Sequence, residues 1–262
     1  MMDYHTILVT QNEAVASVTL NRPELRNAFN EAMIAELAHA FDKLGETPSV
    51  RAIVLAGNGP AFCAGADLNW MKKMAGYSHE ENYTDARTLA DMLCTIYECP
   101  KPVVARVHGD CYAGGMGLVS ACDMIVASPN VNFCLSEVKL GLIPATISPY
   151  VIKAMGEQMA RRYFLTAERF SAIEAHRFGM VHELAGLDSI DDVIDALTKT
   201  LAANGPLAVG HAKQLIRDVA GEHIDLATLD DVASRIAGIR ASEEGREGVA
   251  SFLEKRRPGW LS

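Results

Sequence analysis

Between Pro102 and Glu137 the chain has few choices. Pro102-Val-Val-Ala-Arg-Val107 reads as a short buried strand, β-branched and introduced by prolines. It runs into His108-Gly109-Asp110-Cys111-Tyr112-Ala113-Gly114-Gly115-Met116-Gly117. From Gly115 to Ala121 the residues are apolar or small, enough for two helical turns ending at Cys122-Asp123. A strand passing through glycines into a helix leaves backbone N–H groups without partners at the turn. Such a turn suits a phosphate, or an oxygen that becomes negative during a reaction. It is not a dinucleotide fingerprint, because Ser120 stands where the third glycine would be needed.

The flanks supply the rest of a mixed α/β fold. Thr6–Thr10 and Ala14–Leu20 form a hairpin of β-type segments, and Asn30 caps a one-sided helix carrying Met33, Leu37, Ala40, Phe41 and Leu44. Arg51–Ala56 is a strand, followed by the turn Gly57-Asn58-Gly59-Pro60. Ala64, Gly65 and Ala66 then allow close backbone approach, and Asp67 caps a helix bearing Trp70 and Met74. Ser78 to Glu81 is a capping box. Met124–Ala127 and Val131–Cys134 are short strands, and Met180-Val181 reads as the last one. Asp188–Ala203, Pro206–Ala220, Leu226–Ile239 and Glu243–Leu253 read as helices. Strand, strand and helix recur as a loose ββα repeat. The expected organisation is a core over residues 1–200 and a helical region over 201–262.

Composition narrows the function classes. Hydrophobic residues make up 49% of 262, ample for a large core, and the net charge of −9 argues against nucleic acid or anionic membranes as main partners. No run reaches the ~18 apolar residues of a membrane span. No secretory signal is visible, and none of the six cysteines falls as CxxC, so a reduced, cytoplasmic protein is expected. The eight histidines show no HxxxH or HExxH, and no metal is expected. Gly-x-Ser-x-Gly is absent, which argues against an ordinary serine hydrolase. His108 and Cys111 are close enough in sequence to be weighed as a nucleophile pair.

Three segments taken together resemble the enoyl-CoA hydratase/isomerase (crotonase) family: Phe62-Cys-Ala-Gly-Ala-Asp-Leu68, His108 to Gly117, and Phe133-Cys-Leu-Ser-Glu137. The order also matches at Leu20–Ala28, at Gly141-Leu-Ile-Pro144 and at the tail Ser251–Arg256. The resemblance implies a spiral of ββα units with a helical C-terminal region, a homotrimer or hexamer, and an acyl-CoA thioester as substrate, with no separate cofactor. It places the thioester oxygen between the N–H groups of Ala66 and Gly114, 48 residues apart (114 − 66). An enolate oxygen forming there is stabilised by preformed donors, each typically worth ~10²- to 10³-fold in rate. It likewise implies coenzyme A contacts at Arg26, Ala28, Ala64, Asp67, Leu68 and Lys255, the last reaching a neighbouring subunit.

One departure matters. Family hydratases often carry two glutamates; here the second is present as Glu137 and the first falls on Gly117. Glu137 lies among Phe133, Leu135 and Val138, where desolvation would raise its pKa toward a useful acid/base value. Gly65–Met71 and Glu137–Pro149 look most like hydratases of glutaconyl-CoA type, acting on methylglutaconyl-CoA in leucine breakdown or isohexenylglutaconyl-CoA in terpene breakdown. The expectation is hydration of a branched 2-enoyl-CoA by Glu137, with Lys72 or Lys73 meeting the substrate's own carboxylate. The rivals are a double-bond isomerase, for which one carboxylate suffices, and an acyl-CoA-binding protein without turnover.

Overall fold

The computed structural model describes residues 3–261. Strands β1 (Ile7–Asn12) and β2 (Val15–Leu20) form the hairpin, and helix α1 (Glu31–Glu46) follows, with the Asn30 side chain accepting from Met33 N. Next come β3 (Ala52–Gly57), β4 (Ala61–Cys63), α2 (Leu68–Met74) and α3 (His79–Glu98). The middle of the chain gives β5 (Val103–Val107), β6 (Asp110–Tyr112), α4 (Gly114–Ser120), β7 (Met124–Ala127) and β8 (Asn132–Cys134). Then come α5 (Ser148–Thr166), β9 (Phe170–Ser171), α6 (Ala172–Arg177), β10 (Glu183–Leu184) and α7 (Ile190–Ala203). Helices α8 (Pro206–Val219), α9 (Leu226–Ala241) and α10 (Glu243–Glu254) close the chain.

The ββα repeat becomes physical in how the strands sort. Strands β3, β5 and β7 stack in parallel in a six-stranded sheet of order β1-β2-β3-β5-β7-β10. Their partners β4, β6 and β8 stack beside them in a second sheet of order β4-β6-β8-β9. Each unit therefore climbs through a long strand, a short strand and a helix, and the next unit pairs with it one step along. The fully buried run of β3 fits this place, since a parallel strand covered on both faces needs no alternation.

The expected direct passage from β5 into the helix is corrected: β6 intervenes. Gly109 makes the crossing between sheets possible, because a Cβ there would lie 2.5 Å from Pro60 O and 2.9 Å from Ala61 Cα. The last strand is also displaced from Met180-Val181 to Glu183-Leu184, which pair with Val126 and Ala127. Met180 N and Val181 N instead donate to Ala175 O, closing α6. The expected boundary at 200/201 falls inside α7, whose Ile190 and Ile194 pack on Val54, Val104 and Val126 of the large sheet. Among the described residues no helix is long and apolar enough to cross a membrane.

Candidate active site

Two loops of different units meet at a pair of unshared N–H groups. Residues 26–29 run beside residues 64–67: Ala64 N donates to Arg26 O at 3.0 Å, Phe29 N to Gly65 O at 2.9 Å and Asp67 N to Phe29 O at 3.0 Å. That zipper takes the N–H groups of Ala64 and Asp67 and leaves that of Ala66. In the next unit, Ala113 N donates to Cys134 O at 2.8 Å and α4 opens at Gly114. Among the described residues neither Ala66 N–H nor Gly114 N–H has an acceptor.

Glycine is obligatory where the loops touch. Gly65 has φ +94°, and a Cβ there would lie 3.0 Å from Ala113 Cβ and 3.8 Å from Gly114 N. At Gly114 a Cβ would lie 2.1 Å from the Phe29 ring. Ala113 itself is held at φ +48°, ψ −120°, a region costly for a residue with a Cβ. Strain of this kind accompanies a backbone held for its donors rather than for its own comfort.

Glu137 closes the site. It opens a short 3₁₀ turn, Glu137–Leu140, after β8, and Gly141 ends the turn at φ +72°. Its Oε2 is buried without a hydrogen-bond partner. Burial pushes its carboxyl above the ordinary range, only partly opposed by its own backbone N–H. Glu137, Ala66 and Gly114 all line one open cavity of about 690 Å³, with Ala64 and Leu68 at its rim and Trp70, Met71, Met74, Leu89 and Ile147 as apolar wall. Two free donors sharing a cavity with a carboxyl of raised basicity can hold a carbonyl oxygen and move a proton beside it.

The family model for enoyl-CoA hydratase/isomerase matches residues 10–262. The chain belongs to this enoyl-CoA hydratase/isomerase family. It is similar to a solved enoyl-CoA hydratase of Shewanella pealeana, with TM-score 0.95, 42% identity and coverage of 98% of this chain and 96% of that one. It is 36% identical to a putative enoyl-CoA hydratase of Thermus thermophilus, across 93% of this chain and 96% of that protein. It is 31% identical to the 2,3-dehydroadipyl-CoA hydratase of Escherichia coli, across 96% and 97% respectively.

The remaining expected enoyl-CoA contacts are spread unevenly. Ala28 is buried, its carbonyl accepting from Arg22 Nη1 at 2.5 Å. Arg26 is exposed at φ +51°, its carbonyl tied to Ala64. Lys255 is exposed at the end of α10 and does not line the cavity. Asp67, another expected contact, has its side chain engaged inside the chain as a brace. Its Oδ1 accepts from Asn69 N at 2.7 Å and from Trp70 N, and its Oδ2 pairs with Arg22 at 2.8 Å. Burial would raise this carboxyl, but the Asn69 N–H and the Arg22 guanidinium outweigh it and hold it low.

The sequence reading missed Arg22, whose only signal is that it precedes a proline at a strand end. The weighed Cys111–His108 pair does not form. Burial drives the Cys111 thiol well up, the reverse of what a nucleophile needs, and His108 Nε2 lies 2.7 Å from Gly59 O. Lys73 is exposed and paired with Glu31 at 3.0 Å, and neither it nor Lys72 lines the cavity.

Proposed function

We propose that this protein adds water across the 2,3 double bond of a branched 2-enoyl-CoA of glutaconyl type. Glu137 is the acid/base, Ala66 and Gly114 donate to the thioester oxygen, and coenzyme A arrives as part of the substrate. The observation that carries this is the Glu137 Oε2, buried without a partner on the cavity that both unshared N–H groups line. Backbone at Ala28, Ala64 and Leu68 would take the adenine side, and Arg26, exposed beside Ala64, a phosphate. Lys255 would serve a neighbouring subunit.

A glutaconyl-type chain brings its own carboxylate, and a relative named for dehydroadipyl-CoA supports such a substrate. The Lys73–Glu31 pair is exposed, so a substrate carboxylate could recruit Lys73 at small cost. We expect a carboxylated branched enoyl-CoA to be preferred over crotonyl-CoA by at least ~10-fold in kcat/KM, about 1.4 kcal/mol of transition-state binding. Steady-state hydration kinetics on both thioesters check this; equal or better use of crotonyl-CoA would refute it. A carboxyl such as Glu137, working alone, also suits a double-bond isomerase, which returns one proton to a second carbon. Following water addition and bond migration on one substrate separates the two.

The assembly we propose is a trimer or hexamer built on the helical arm. Phe252 and Leu253 of α10 are 81% and 72% exposed, and Ile216 of α8 and Leu226 of α9 are similarly bare. Trp260 is spent inside the chain, its indole donating to Ala203 O at 3.2 Å, so the shared face would centre on Phe252 and Leu253. Sedimentation at micromolar concentration is expected to show three or six copies, and a stable monomer would count against it.

A further inference from the structure

We propose that Asp85 is a second catalytic carboxylate, taking the proton of the attacking water while Glu137 serves the α-carbon. This rests on the hydratase reading and deepens it. Asp85 lies on α3 and lines the same cavity as Glu137, Ala66 and Gly114. Its Oδ1 accepts from the Trp70 indole N–H at 3.0 Å. Among the described residues its Oδ2 has no hydrogen-bond partner and no cation pairs with it. A half-buried carboxylate anchored at one oxygen and free at the other is a water-holding geometry rather than a structural brace such as Asp67.

The anchor connects Asp85 to the donors. Trp70 is buried, its ring 5.8 Å from that of Phe29 at 53°. Phe29 bridges to Ala66 in parallel fashion and lies against Gly114. The group that fixes Asp85 is thus packed on the side chain that fixes the two N–H donors, and the three would keep one geometry together.

The wall around Gly117 explains why such a group is needed. A side chain at 117 would project into Ile147 and approach Leu93 of α3. Leu93, Leu89 and Asp85 form one i, i+4, i+8 ridge of that helix, so Asp85 stands two turns along the same ridge. Its environment suits a base: burial raises its carboxyl and the Glu31 charge adds to this, with the indole opposing.

The step balances. The water oxygen bonds to the β-carbon as the double-bond electron pair moves through the thioester to its oxygen, held by Ala66 and Gly114. The water proton passes to the Asp85 carboxylate. Glu137 in its acid form gives its proton to the α-carbon as the enolate collapses. A proton then returns from Asp85 to Glu137 through water in the cavity, restoring both groups.

The test is Asp85→Asn, whose amide oxygen still accepts from the indole. Two rates are measured in the full-length protein: hydration of an enoyl-CoA, and deuterium exchange from solvent at the α-carbon of a saturated acyl-CoA, which needs only Glu137 and the donors. The expected result is hydration down at least 100-fold with exchange within threefold of the parent. Hydration within tenfold of the parent would overturn the proposal, and so would parallel loss of both rates, which would make Asp85 structural. A parent that shifts double bonds and adds no water would overturn the hydratase reading and this one with it.

Discussion

Glu137→Gln is expected to lower kcat by about 10³-fold or more while leaving the dissociation constant for a CoA thioester within a few-fold. The amide keeps the shape of the side chain and its place on the 3₁₀ turn, but it cannot take up or release the proton. General acid–base groups contribute ~10²- to 10⁴-fold, and the upper part of that range applies where the carboxyl is buried and its basicity raised. Ala66 and Gly114 donate from the backbone and are untouched, so binding should survive. Single-turnover kinetics with a separate thioester titration check both halves; turnover within tenfold of the parent would refute the assignment.

The same variant has a signature in stability. A carboxyl whose folded pKa is raised contributes its stability below the ordinary value of 4.5 and loses it as pH climbs through the folded pKa. Above that ordinary value the parent therefore bears the cost of keeping or ionising a buried carboxyl, which glutamine does not. The variant should melt no lower than the parent at pH 7, with any gap closing below about pH 4. A catalytic carboxyl held against its own stability behaves this way, whereas a structural one would show the reverse.

Much of this was legible because local chemistry and tertiary role agreed. Asn30, Asp67 and Ser78 cap helices as their types dictate, since an orphan N–H must find an acceptor nearby. The donor pair was named through the family resemblance, and the small residues there permit the close backbone approach in which Phe29 and Gly65 take part. What stayed hidden depends on distant partners. Strand β6 is three residues long and exists only because β4 and β8 flank it. Met180-Val181 carries strand propensity, yet Ala175 O claims both N–H groups. Arg22 and Asp85 were unreadable because their meaning lies in Asp67 and Trp70, 45 and 15 positions away.

Restoring a glutamate at position 117 is expected to harm the protein rather than improve it. Gly117 is fully enclosed on α4, and a Cβ there would lie 2.3 Å from Ile147 Cγ2 and 2.9 Å from Ile147 Cβ, with Leu93 Cδ1 at 3.5 Å. Ile147 has little freedom to retreat, because its carbonyl accepts from Val151 N at 3.0 Å at the start of α5. Overpacking of this kind costs ~1–3 kcal/mol. A carboxylate pressed among Ile147 and Leu93 adds several more unless it stays protonated. Gly117→Glu should therefore lower the melting temperature by at least roughly 6–12 °C, counting only ~3 kcal/mol of overpacking at 2–4 °C each, and should reduce hydration. Gly117→Ala carries the Cβ clash without the charge and should fall between parent and Gly117→Glu by calorimetry. The absent glutamate is thus no vacancy awaiting a side chain. Ile147 has closed the space, and any second carboxylate must come from elsewhere on the cavity wall. Parental stability with equal or faster hydration in Gly117→Glu would refute this.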